Sequence, residues 1–347
     1  MNENIDNQSF KNKGLSGLVN MGNTCFINAC VQIISHTYEL NSVFDSLTEN
    51  KLNIKDKDSC ILLMEWNNLR KLLWRENTII FPSKFIHTIK VVAGKKRIPH
   101  FTDFSQNDAQ EFMLFLVDCF HNSVSRSINM NIIGSPENNT DKLATKCFEM
   151  VKQRHEKEYS EFWNLLYGIQ VSEIFDANTN VLLYQKPESY FMIDLPIPQS
   201  SPNSSSIISI LDCFNLYVEG EFIEGWKNEE RKQTVNIHKK LSFWSFPNIL
   251  IISLKRFKDT NIKNKSLIHF PLELDLTKYV IGYKKTSFLY NLYGVCNHFG
   301  ASPSGGHYTS YIKNINKWYE FDDMSVIEKH VHGIVTPNAY MLFYRRL

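Results

Sequence analysis

The chain has 347 residues, 43% hydrophobic and 21% charged, an ordinary globular composition long enough for one large or two small domains. A formal net charge of +2, with Lys95-Lys96-Arg97 as the longest basic run, excludes a dense basic face and hence a nucleic-acid partner. No apolar stretch approaches the length a bilayer requires, so no membrane partner is expected. Residues 1–14 read as a disordered polar tail without an apolar signal segment. Seven cysteines, an odd number with only Cys25 and Cys30 close together, argue against a disulfide scaffold and for a soluble protein of a reducing compartment, cytoplasm or nucleus. The sequons at Asn138, Asn203 and Asn264 are then coincidental.

In chain order, Gly17-Leu18-Val19-Asn20-Met21-Gly22-Asn23-Thr24-Cys25-Phe26-Ile27-Asn28 comes first. Gly22 and Asn23 suit the positive-φ conformations that end a loop, and Thr24 is a good N-cap. Phe26, Ala29, Cys30, Ile33 and Thr37 follow at helical spacing, so Cys25 falls in the first turn of a buried helix. Unpaired N–H groups and the positive dipole end favour a thiolate there. Against this stands the ordinary fate of a free cysteine, which is to be inert and buried.

Cys60 to Trp74 and Gln106 to Phe120 carry apolar stripes of core helices. Residues 129–142 form a polar loop, and Leu143 to Leu166 is predicted as one long helix. Strands follow from about residue 167. Residues 200–206 are a short Ser-rich loop, and Ile207 to Tyr217 is again helical. After Phe243 the chain is strand-rich to Tyr340–Tyr344. Helices first and strands later give an α+β architecture.

Gly305 to Asp323 holds two aromatic-rich alternating runs around Asn314-Ile315-Asn316, the signature of a β-hairpin. If the turn centres between Asn314 and Ile315, His307 faces Asp322; if it centres on Ile315, His307 faces Asp323. Either carboxylate would hold one ring nitrogen so that the other serves as a base. Gly305 and Gly306 permit a close backbone approach just before the histidine.

The first run resembles the cysteine box of the ubiquitin-specific proteases, the papain-like deubiquitinases, and Gly305 to Asp323 resembles their histidine box. Gln106-Asn107-Asp108-Ala109-Gln110-Glu111-Phe112 is similar to the acidic box between them, and Phe246 to Phe257 to a central palm strand. Four segments in the family's order span nearly the whole chain. The resemblance implies a papain-like fold over residues 15–347, with a helical thumb (about 15–166), β fingers (about 167–242) and a β palm (about 243–347). It implies Cys25 as nucleophile, His307 as base and Asp322 as orienter, with Asp323 close enough to assist. Asn20 would be the oxyanion-hole side chain.

Ubiquitin ends in Leu-Arg-Leu-Arg-Gly-Gly, whose arginines need carboxylates. Asp108 is the first candidate and Glu111 the second, three residues apart on one helix face. Gly305, Gly306 and Tyr308 would line the channel for the terminal glycines. His298 matches a family position ahead of the base but reads as structural. Many members hold zinc through two Cys-x-x-Cys pairs in the fingers. This chain has neither, so no metal or other cofactor is expected, and Ile174, Phe175, Phe222 and Trp226 would pack the fingers instead. The resulting expectation is a deubiquitinase with ubiquitin and ubiquitinated proteins as partners. The alternatives are a protease for a ubiquitin-like modifier and a catalytically silent ubiquitin-binding module.

Overall fold

The computed structural model describes residues 10, 12–103, 105–199, 207–228, 233–257, 262–283, 287–302 and 305–347. The Ser-rich segment at 200–206 lies outside the described residues, as does most of the expected tail. Phe10, inside that tail, is packed, stacking on Tyr38 with centroids 4.4 Å apart.

The first half is helical. Strand β1 (Gly17–Leu18) pairs in parallel with β2 (Ile79–Ile80). Around them lie α1 (Cys25–Ser35), α2 (Tyr38–Ser46), α3 (Lys57–Arg75), α4 (Ser83–Lys95) and α5 (Ala109–Val124). All eleven residues of α1 are buried, which is what its apolar sequence demands. The long helix expected over Leu143–Leu166 is instead two, α6 (Asn139–Glu158) and α7 (Glu161–Leu166). Between them Tyr159 leaves the helix and exchanges two backbone hydrogen bonds with Arg126 (2.8 and 2.9 Å). The Asn138 side chain accepts from the Asp141 amide, so α6 also begins four residues earlier than expected.

Next come β3 (Gly168–Asp176), β4 (Leu182–Tyr190), β5 (Met192–Leu195), β6 (Ile208–Ser209), α8 (Ile210–Glu219), β7 (Glu221–Asn228) and β8 (Gln233–Ser245). Antiparallel β4-β3-β8-β7 form a separate four-stranded sheet. Its apolar support is at its base, where Val171 and Trp244 pack with Leu143, Ala144 and Cys147 of α6. The expected packing role of Phe222 is overturned: it is 52% exposed and lies against the His238 ring. A two-faced, largely solvated sheet leaves its distal side chains no core to enter.

The remaining strands are β9 (Ile249–Leu254), β10 (Ile268–His269), β11 (Glu273–Asp275), β12 (Leu289–Ser302), β13 (Gly305–Asn314), β14 (Lys317–Asp322), β15 (Ser325–Lys329) and β16 (Ala339–Arg346). The main sheet runs β15-β14-β13-β12-β16-β9-β5, with β11 also on β12. β9 is buried at every residue, as a continuous apolar run between two neighbours should be. α1 packs against β12, β13 and β14 as well as α5, so helices and sheet share one apolar cluster.

Candidate active site

Two loops bring the site together. On the cysteine side Gly22 and Asn23 adopt φ of 94° and 55°, turning the chain sharply into α1. Thr24 occupies the N-cap position, but its hydroxyl accepts from the Met21 amide instead of bonding the helix. Cys25 is thus the first residue of α1, at the positive end of a buried helix.

On the histidine side the turn centres beyond both expected registers: Asn314 pairs with Lys317 and Ser310 with Phe321. Asn314 is held at the strand end by the Tyr38 hydroxyl (3.0 Å) and the Lys13 carbonyl (2.7 Å), and Ile315 takes φ 57°. Neither aspartate therefore lies directly across from His307. Asp322 is a diagonal neighbour on the same face, and diagonal neighbours are still within reach of long side chains. Its Oδ1 is 2.6 Å from His307 Nε2. The other ring nitrogen is left for Cys25, whose thiol interacts with the ring. That contact first, and Asp322 second, raise the His307 pKa from 6.5 to about 9 against the opposing effect of burial.

Asp323 does different work. It sits in the turn between β14 and β15 at φ 48°, and its carboxylate faces the cysteine loop. Oδ2 accepts from Asn20 Nδ2 at 2.9 Å, Oδ1 from Asn28 Nδ2 at 2.8 Å, and the backbone oxygen from the Leu18 amide at 2.8 Å. At the same junction a Cβ on Gly17 would lie 2.2 Å from the Met324 oxygen, so only glycine fits. The Asn20 Oδ1 accepts from the Gly22 and Thr24 amides at 3.1 and 3.0 Å. An amide nitrogen has two hydrogens, so one Asn20 N–H remains for a ligand.

Asp108 is not on an exposed helix face with Glu111. It precedes α5 and caps it, accepting from the Gln110 amide at 2.6 Å. Its other oxygen accepts from the Tyr340 hydroxyl at 2.6 Å, and burial pushes its pKa up. Glu111 is exposed. Both border a groove of about 420 Å³ whose other walls include Leu114, Tyr190, Phe191 and Met192.

Gly306 adopts φ 135°, and a Cβ there would come within 2.1 Å of the Phe299 oxygen. Its amide donates across the cleft to Gln106 Oε1 at 3.1 Å. Gly305 is less constrained, with only Ser302 Oγ at 3.1 Å. Tyr308, expected to line the channel, is 1% exposed, its ring 4.7 Å from that of His298. Strand alternation turns its side chain away from the face that His307 presents.

Asn28, Gln106 and Tyr340 were given no role on sequence grounds. Asn28 had a signal, a polar residue one turn after Cys25 in a largely apolar helix. Burial pushes the Cys30, Cys60, Cys119, Cys147 and Cys213 thiols up, the last three to about 12.

A family model described as "Ubiquitin carboxyl-terminal hydrolase" matches residues 16–344. Ubiquitin carboxyl-terminal hydrolase 2 of Bos taurus is 31% identical over 352 residues, which cover 96% of this chain and 55% of that protein. The protein of the same name from Gallus gallus is 31% identical over 349 residues, covering 96% and 93%. The chain spans about half the length of the mammalian relatives it matches. The structure of the SAGA Ubp8/Sgf11/Sus1/Sgf73 DUB module bound to ubiquitin aldehyde superposes with a TM-score of 0.72 at 20% identity, covering 97% of this chain and 70% of that one.

Proposed function

The chain belongs to the ubiquitin carboxyl-terminal hydrolase family, and from that premise we propose that it is a thiol-dependent deubiquitinase, cleaving the peptide or isopeptide bond after the C-terminal glycine of ubiquitin. The observation that carries this reading is His307 bonded to Asp322 at 2.6 Å and interacting with Cys25, the first residue of a buried helix. An imidazole raised to about 9 is protonated at neutral pH and so is equipped to hand a proton to a leaving group.

The Cys25 sulfur attacks the glycine carbonyl and forms a C–S bond. The oxyanion is met by the free Asn20 N–H and a backbone N–H at the start of α1. His307 gives its proton to the leaving lysine amine as the C–N bond breaks. Water, deprotonated by His307, then attacks the thioester and returns the thiol. Asp322 keeps the ring oriented throughout, while Asp323 holds Asn20 and so acts on the oxyanion side. Glu111, and Asp108 in so far as Tyr340 releases it, supply the carboxylates for the tail arginines.

No helix among the described residues is long and apolar enough to cross a membrane. Seven free thiols accord with a reducing compartment.

Ubiquitin carrying a thiol-reactive group in place of its last carboxylate tests the proposal. It should label the wild type and leave Cys25→Ala unlabelled. A folded wild type that ignores this probe, or reacts only with the probe of a ubiquitin-like modifier, would overturn it.

A further inference from the structure

A buried lysine lies beside the site with no part in the steps above. Lys263 is 7% exposed. Burying an ammonium is costly unless it is hydrogen-bonded. Its Nζ is 3.0 Å from His298 Nδ1 and also donates to the His298 carbonyl.

The backbone is built to deliver it there. Phe257 and Lys263 form an antiparallel bridge, and the fully buried Arg256 donates to the Asn264 and Ser266 carbonyls at 2.9 and 3.0 Å. Arg256 also donates to the Ala339 carbonyl on β16 at 2.6 Å, fastening this segment to the sheet.

An ammonium is a donor only, so the His298 Nδ1 it meets must be the unprotonated nitrogen. A neutral His298 then carries its hydrogen on Nε2. That edge of the ring lies under two glycines: a Cβ on Gly306 would be 2.9 Å from His298 Nε2, and one on Gly300 would be 3.2 Å from Cε1. Gly306 directly precedes His307 and is the residue gripped by Gln106 from the opposite side.

We propose that Lys263 is a positioning residue: by donating to the His298 carbonyl and Nδ1 it fixes the Nε2–H form of that ring, which floors Gly300 and Gly306 and holds the backbone leading into His307. This rests on the reading of His307 as the base. The electrostatics agree with the geometry. Burial and then Lys263 lower His298 to about 4, while burial and then Arg256 and Lys265 lower Lys263 to about 8. His298 is thereby kept neutral and silent one strand away from a histidine that must carry charge.

Lys263→Met removes both donors, whereas Lys263→Gln keeps a donor without the charge. Nitrogen-15 spectra of the ring should show a single Nε2–H form of His298 in the wild type and Lys263→Gln, and a mixture in Lys263→Met. Turnover of a ubiquitin C-terminal amide should fall about tenfold in kcat for Lys263→Met with KM nearly unchanged, since the backbone beside the base moves. Lys263→Gln should recover most of it. His298 protonated on Nδ1 in the wild type, or Lys263→Met with wild-type kcat, would overturn the proposal. Should Lys263→Met not fold, the wild-type spectrum and Lys263→Gln still decide. A wild type inert toward ubiquitin would instead defeat the deubiquitinase reading, and the spectra would still test the Lys263–His298 tie.

Discussion

The two adjacent aspartates make separable predictions. Asp322 meets the His307 ring at 2.6 Å, whereas the Asp323 side chain is bonded to Asn20 and Asn28. A hydrogen bond to a charged group contributes about 1.5–3 kcal/mol. His307 and Asp322 side chains are 39% and 47% exposed, so solvent screening puts this one at the low end. About 1.5 kcal/mol corresponds to roughly one pH unit. His307 is raised above 6.5 to about 9, and losing a stabilising acceptor lowers it. The active pair is lost as pH rises through that value, so Asp322→Ala should move the alkaline limb of kcat/KM down by about one unit. Asp323→Ala should leave the limb near 9 and cost about a hundredfold in kcat by releasing Asn20, close to the loss of an oxyanion donor. The assay is hydrolysis of a fluorogenic ubiquitin C-terminal amide from pH 6 to 10. An unmoved limb in Asp322→Ala, or an equal displacement in Asp323→Ala, would refute the division of labour.

Gly306→Ala should abolish turnover and lower the melting temperature, because its Cβ would meet the Phe299 oxygen at φ 135°; Gly305→Ala should be tolerated in both measurements. Asp108→Ala should destabilise the protein by about 1 kcal/mol or more in denaturant titrations through the lost α5 cap. Glu111→Ala, at an exposed position, should leave stability alone and raise KM for ubiquitin substrates. Iodoacetamide near neutral pH should modify one thiol of the folded wild type and none of Cys25→Ala, as read by intact mass. Burial holds the Cys30, Cys119, Cys147 and Cys213 thiols protonated, so labelling there would count against the assignment.

The sharp entry into α1 was legible because Gly and Asn are the residues that take positive φ cheaply, and both do at 22 and 23. The hairpin register was not, for the converse reason. Ile315, a β-branched residue, takes a positive φ that local rules assign to asparagine, and what holds Asn314 beside it comes from Tyr38 and Lys13, remote in sequence. The helix break at Tyr159 likewise depends on a backbone partner, Arg126, that periodicity cannot reveal. Asp108 followed by Gln110 and Glu111 carried a cap signal, but sharing a helical face with Glu111 was the wrong geometry to draw from it. Phe222 was misread because pattern shows which side chains are apolar and not whether a second layer exists to cover them.

A cleft between helices and sheet suggests two lobes that hinge, and the packing argues otherwise. Phe26, Ile33 and Phe112 from the helices share one apolar cluster with Tyr293, Ile312, Phe321 and Phe343 from the sheet. Exposing even one such side chain costs about 1.5–3 kcal/mol, so parting the lobes would consume a large share of a domain's stability. Polar ties cross the same seam, from Gln110 to Ser253 at 2.8 Å, Asp108 to Tyr340 at 2.6 Å and Gln106 to Gly306 at 3.1 Å. Only the last holds the exposed start of β13 and can yield without opening the core. Substrate admission should therefore be a local rearrangement at Gly306 while Cys25 and His307 stay together. Native-state hydrogen exchange reads this directly. Amides of Ala29–Ile34 in α1 and Ser310–Ile312 in β13 should exchange only with global unfolding, and that of Gly306 orders of magnitude faster. Exchange of the α1 amides in a sub-global step, with the sheet still protected, would show that the lobes part and that the active pair forms only on closure.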